Sequence, residues 1–182
     1  SAIRKQVSLL YMLARTSDTI ADSEGGDPED LLQALESYNE FTQGNSEEIP
    51  DLEEFSDFQS NISEGLLLNS VGKVVSKIDD FSESDQESIR KCLGIIIGGQ
   101  ILDLKRFSSG ANGIPAIEEN DELDDYAYRV AGSVGEFWTQ MSLDHLFNFK
   151  EENETELFEK GVVIDGEINE FHVGAIPGGT LQ

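Results

Sequence analysis

The sequence predicts an all-α domain that ends in a short β-hairpin or irregular tail. Three observations carry that prediction. Apolar residues recur at three- and four-residue spacing through most of the first 150 positions, and helix-start and helix-stop chemistry brackets those stretches. β-Branched runs on both sides of an Asp-Gly appear only after about residue 160. The implied division is a helical domain over residues 1–160 and a tail over residues 161–182.

The first helix is expected from Ile3 to Ile20, where Ile3, Val7, Leu10, Leu13, Ala14 and Ile20 recur about one turn apart, with Gly25-Gly26 as its stop. Asp27-Pro28-Glu29-Asp30 starts another. Asp27 can cap it, Pro28 suits the first turn, and the acids favour the positive end of the helix dipole. Leu31, Leu32, Leu35, Tyr38 and Phe41 then share one side. Gly44 to Asp57 is acidic and weakly periodic, which reads as a loop or a short helical turn. A single helix is expected over Ile62 to Ile78, and Ser84-Asp85-Gln86-Glu87 reads as a capping box for the next. That next helix, running through Ile89, Leu93, Ile97, Ile101 and Phe107, is apolar almost all round and should lie centrally. Ser108 to Pro115 has loop chemistry, and Glu118 to Met141 reads as one more helix. Ala131, Gly132, Ser133 and Gly135 weaken that helix by propensity, so their benefit should be close packing or room for a ligand. Gly161 to Val173 carries the hairpin signal around Asp165-Gly166.

Charge narrows the function classes. The 182 residues hold 12 Lys plus Arg and 37 Asp plus Glu, so the formal net charge is 12 − 37 = −25. Such a chain is a poor partner for nucleic acid or for an anionic lipid surface, because phosphate contacts want Lys and Arg. An anionic ligand would need a metal cation between itself and the protein. The lone Cys92 excludes an internal disulfide, and no run approaches a membrane-spanning length. No secretory signal pattern opens the chain, so a cytoplasmic location is expected.

The sharpest chemical feature is Tyr11-Met12-Leu13-Ala14-Arg15-Thr16-Ser17-Asp18-Thr19-Ile20-Ala21-Asp22. On a helix Asp18 and Asp22 lie one turn apart on one face, and Arg15 precedes Asp18 by three positions. Two such carboxylates can hold a hard divalent cation that recruits phosphate oxygens as further ligands, and an Arg beside them can grip the same phosphate. Acidic pairs at this spacing also arise by chance in so acidic a chain, as at Asp121 and Asp125. What distinguishes the first pair is its place on an otherwise apolar helix. The remaining candidates have plainer readings. His145 and His172 read as isolated surface or hairpin residues, Cys92 as a small core residue, and Tyr128 and Trp138 as packing residues. Gly98-Gly99, inside an apolar helical run, is not a phosphate loop.

The run from Tyr11 to Asp22 resembles the first aspartate-rich motif of the squalene/phytoene synthase family. Tyr126-Ala127-Tyr128-Arg129-Val130-Ala131-Gly132-Ser133-Val134-Gly135 is similar to that family's Tyr-x-x-x-Val-Ala-Gly-x-Val-Gly segment, and Gly99 to Phe107 resembles a helix of some bacterial members. The resemblance spans about residues 3–140. It implies an isoprenoid-synthase-like helical bundle around a central cavity, and head-to-head condensation of two prenyl diphosphates with release of pyrophosphate. It implies Mg²⁺ on Asp18 and Asp22, Arg15 on diphosphate, and Tyr126 steering the carbocation or its proton loss. Tyr11, Val130, Ala131, Val134 and Gly135 would bind substrate, NADPH would serve if squalene is formed, and peripheral membrane association is admitted. Leu181-Gln182 matches the start of the family's second acidic motif, placing Gln182 in the substrate site; the Asn-x-x-x-Asp that should follow does not appear. A bundle incomplete at both ends is therefore expected. The alternative reading is a catalytically incomplete relative that acts as a helical interaction domain.

Overall fold

The computed structural model describes residues 2–23, 26–108 and 120–146. The loop expected after Ser108, the hairpin expected over Gly161–Val173, His172 and Gln182 lie outside them. Among the described residues every regular element is helical.

Helix α1 (Arg4–Ala21) buries Leu9, Leu10, Leu13, Thr16, Ser17 and Ile20. Its hydroxyls enter the interior because each donates to a carbonyl of its own helix: Thr16 to Met12 at 2.9 Å, Ser17 to Ala14 at 2.8 Å and Thr19 to Arg15 at 2.8 Å. The helix ends at Ala21, before the glycine pair expected to stop it. Helix α2 (Pro28–Gln43) begins as its sequence indicates, with Asp27 accepting from the Glu29 amide at 3.0 Å, and ends on Gly44 in the left-handed region at φ 78°. Tyr38 is fully buried, and its hydroxyl donates to the Leu13 carbonyl at 2.9 Å, which fixes α2 against α1.

The single helix expected over residues 62–78 is three pieces: α4 (Ile62–Leu68), α5 (Val71–Val75) and a 3₁₀ turn over Ser76–Asp80. The cause lies in the short helix before it, α3 (Glu53–Asp57). Ser56 Oγ donates to the Gly65 carbonyl at 3.1 Å and accepts from Asn69 Nδ2 at 2.8 Å. A Cβ at position 65 would stand 3.1 Å from the Ser56 carbonyl oxygen, tighter than ordinary contact, so glycine favours this approach. The break at Asn69-Ser70 lets Leu67 and Leu68 on one side, and Val71, Val75 and Ile78 on the other, all reach the core.

Helix α6 (Glu83–Ser108) is central among the described residues and packs against α1, α2 and the last described helix. Its Ile89, Leu93 and Ile97 have no exposure at all. The capping residue is Ser82, not Ser84: Ser82 Oγ accepts from the Asp85 amide at 3.3 Å. Asp85 turns inward instead, where its carboxylate accepts from Gln6 Nε2 at 3.0 Å and meets His145 Nε2 at 2.7 Å. His145 lies at the surface as expected, but it is tied to a buried carboxylate and is not isolated.

The last expected helix is interrupted. Helix α7 (Asn120–Ala127) runs into one π turn over Tyr128–Gly132 and then into α8 (Ser133–Leu146), which buries Phe137 and Met141. Of the small residues there, Ser133 is buried and Gly132 packs closely, while Ala131 is exposed. Arg129 lies over Gly98 and Gly99 of α6, with its Cβ 3.1 Å from where a Gly99 Cβ would stand, and Gly132 leaves room for the Tyr128 ring. Tyr128 also donates its hydroxyl to Glu136 Oε2 at 2.9 Å, while Trp138 is 53% exposed and does not pack as expected.

Candidate active site

The C-terminal half of α1, the second half of α6, and the junction between α7 and the π turn enclose a cleft of about 370 Å³. Asp18 and Asp22 stand on its α1 wall, Gln100 and Asp103 on its α6 wall, and Tyr126 and Val130 face them; Ala21, Ile96 and Leu104 supply apolar surface. Each wall follows from helical spacing. Asp18 and Asp22 are four residues apart, Gln100 and Asp103 three, and Tyr126 and Val130 four across the start of the wide turn.

Asp18 is the half-buried member of the pair and Asp22 the exposed one. Asp18 Oδ1 accepts from Gln100 Nε2 at 2.6 Å, across 82 positions of sequence. Burial, and then the neighbouring Asp22, push the Asp18 carboxyl above the ordinary range; Arg15 and the Gln100 amide pull it back. Asp103 is likewise raised by burial and opposed by Arg106. The oxygen of the same Gln100 amide, Oε1, is buried and has no hydrogen-bond partner among the described residues. An orphaned buried carbonyl costs about 1–3 kcal/mol.

The remaining sequence-predicted residues lie elsewhere. Arg15 does not line the cleft; its guanidinium is bonded to Glu64 of α4, a contact that holds its pKa up. Tyr11 is 67% exposed, Ala131 and Val134 are exposed, Gly135 is partly buried, and none of the four borders the cleft. Sequence reasoning missed Gln100 and Asp103 as site residues. The signal was present, because both belong to the Gly99–Phe107 run and their three-residue spacing puts them on one face. A larger hollow of about 710 Å³ lies against α2, rimmed by Asp30, Glu36, Glu40, Glu48, Asp51 and Glu54. It has no basic residue on its lining and would repel an anion.

The sequence profile of squalene/phytoene synthases matches residues 1–158. The chain belongs to the squalene/phytoene synthase family. No curated protein and no solved structure matches it. In this family member Asp18 and Asp22 line one cleft with Tyr126 and Val130, about 100 residues further along the sequence.

Among the described residues no three His, Cys, Asp or Glu gather closely enough to form a metal-binding cluster. The donors in the cleft nevertheless suit Mg²⁺. That ion takes one or two protein carboxylates and fills its remaining positions with water and substrate phosphate. Asp18 and Asp22 would provide the carboxylates; burial first, and then the neighbouring Asp22, raises the Asp18 carboxyl, and a divalent cation would favour its charged form. The unpartnered Gln100 Oε1 belongs to the same hard-oxygen class.

Proposed function

We propose that this protein condenses two prenyl diphosphates head to head, releasing pyrophosphate through a cyclopropyl intermediate, as phytoene and squalene synthases do. One observation carries the reading: Asp18, Asp22, Tyr126 and Val130 line a single cleft. Mg²⁺, held by Asp18 and Asp22, would neutralise the charge that develops on the departing diphosphate oxygens. The two carboxylates orient the cation toward the cleft. Tyr126 faces them with a phenol able to accept or relay a proton near the carbocation, and Val130 offers apolar surface to the chain beyond it. Arg15, one turn before Asp18, would contact diphosphate by exchanging Glu64 for it, a substitution of one anion by another. Ala131, Val134, Gly135 and Tyr11 extend the substrate-binding surface outward from the cleft.

The test is pyrophosphate release from farnesyl and from geranylgeranyl diphosphate with and without Mg²⁺. Turnover should depend on Mg²⁺ and fall at least about 100-fold in Asp18→Asn and in Asp22→Asn. A parent protein with neither turnover nor Mg²⁺-dependent pyrophosphate binding sinks the proposal. A second reading, a helical interaction domain, rests on the exposure of Tyr11 (67%), Ile62 (80%) and Leu66 (61%) on α1 and α4. Under that reading the protein self-associates, and Leu66→Glu returns it to monomer in light scattering.

A further inference from the structure

We infer that Gln100 is a positioning residue, fixing the Asp18 carboxylate for cation binding. The inference rests on the proposed function of the cleft and adds a residue to it. Gln100 sits on α6 and Asp18 on α1, so their 2.6 Å hydrogen bond braces the two walls directly beside the Asp18–Asp22 pair. The amide engages Oδ1 only, and Oδ2 has no hydrogen-bond partner among the described residues. One carboxylate oxygen is thereby held while the other stays available.

Folding alone does not account for a glutamine here. The position lies on a largely apolar helix with Ile96, Ile97, Ile101 and Leu104 around it, and Oε1 is buried without a partner. Met or Leu would fill the space and remove the unpartnered Oε1, at the cost of leaving the Asp18 carboxylate without its donor. The half of the amide that is satisfied is the half that grips Asp18. Groups that orient a metal-binding carboxylate from behind in this way set metal affinity without touching the ion.

The test uses the full chain with inorganic pyrophosphate and Mn²⁺, a paramagnetic stand-in for Mg²⁺, followed by electron paramagnetic resonance and by thermal unfolding. Gln100→Met should weaken Mn²⁺ binding about tenfold in a protein that still unfolds cooperatively. Placed on Asp18→Asn, the same change should have no further effect on residual binding. Unaltered affinity in Gln100→Met, with binding in the parent still sensitive to Asp18→Asn, overturns the positioning role and leaves the cleft's function standing. An equal further loss on the Asp18→Asn background overturns it as well. If the parent binds no Mn²⁺ with pyrophosphate, the reading of the cleft and the role of Gln100 fall together.

Discussion

Individual residues in this protein carry opposite obligations to folding and to chemistry, and Asp18 shows the conflict most directly. Its carboxyl titrates above the ordinary range because it is partly buried beside Asp22. A group whose pKa is raised in the folded state binds more protons there than in the unfolded chain, so its ionisation opposes folding as pH climbs through that window. Asp18→Asn should therefore raise the unfolding temperature at neutral pH. The gain should vanish below the carboxylate range, where the native aspartate is protonated in both states. Differential scanning calorimetry at acidic and neutral pH checks this beside the loss of turnover, and a lower unfolding temperature at neutral pH refutes it. Cys92 makes the contrasting case. Burial pushes its thiol up to about 11, and its Sγ points to the Ser133 carbonyl at 3.5 Å. It should resist a thiol reagent at about pH 8 in the folded protein and react fully on unfolding.

At the scale of elements, periodicity made most of the helices legible, and what it concealed was where they break. The cap at Asp27, the stop at Gly44 and the centrality of α6 can all be read locally, because each depends on neighbours in the chain. The break between α4 and α5 cannot. It arises from Ser56 reaching both Gly65 and Asn69, contacts of 9 and 13 positions that hydropathy does not register. The cleft divides the same way. Asp18, Asp22 and Tyr126 were visible in their motifs, whereas Gln100 became a candidate only once α1 and α6 were seen side by side. The Gln6–Asp85–His145 cluster is a further non-local feature, joining the starts of α1 and α6 to the end of α8. Asp85→Ala leaves a buried Gln6 amide without its acceptor and should cost about 1–3 kcal/mol in urea unfolding. Ser82→Ala removes only a cap and should cost about 1 kcal/mol.

For the molecule as a whole, the excess of acids sets conditions that no single contact does. A net charge of −25 spread over 182 residues opposes compaction through self-repulsion. The unfolding temperature should rise between about 0.05 and about 1 M KCl, because added ions screen that repulsion; a flat or falling curve would contradict it. The wide turn at Tyr128–Gly132 has a reach of the same order. It inserts its slack between the part of the chain that serves the cleft, Tyr126 and Val130, and the part that serves the core, Phe137 and Met141. A π turn fits five residues into nearly the rotation and rise that four take in an α-helix, so deleting one residue from it would restore an uninterrupted α-helix and leave the phase downstream almost unchanged. Phe137 and Met141 would stay in the interior, and His145 would keep its contact with Asp85. One superfluous residue is thus taken up where the rod borders the cleft, and its loss should disturb the placing of Val130 far more than the packing beyond it.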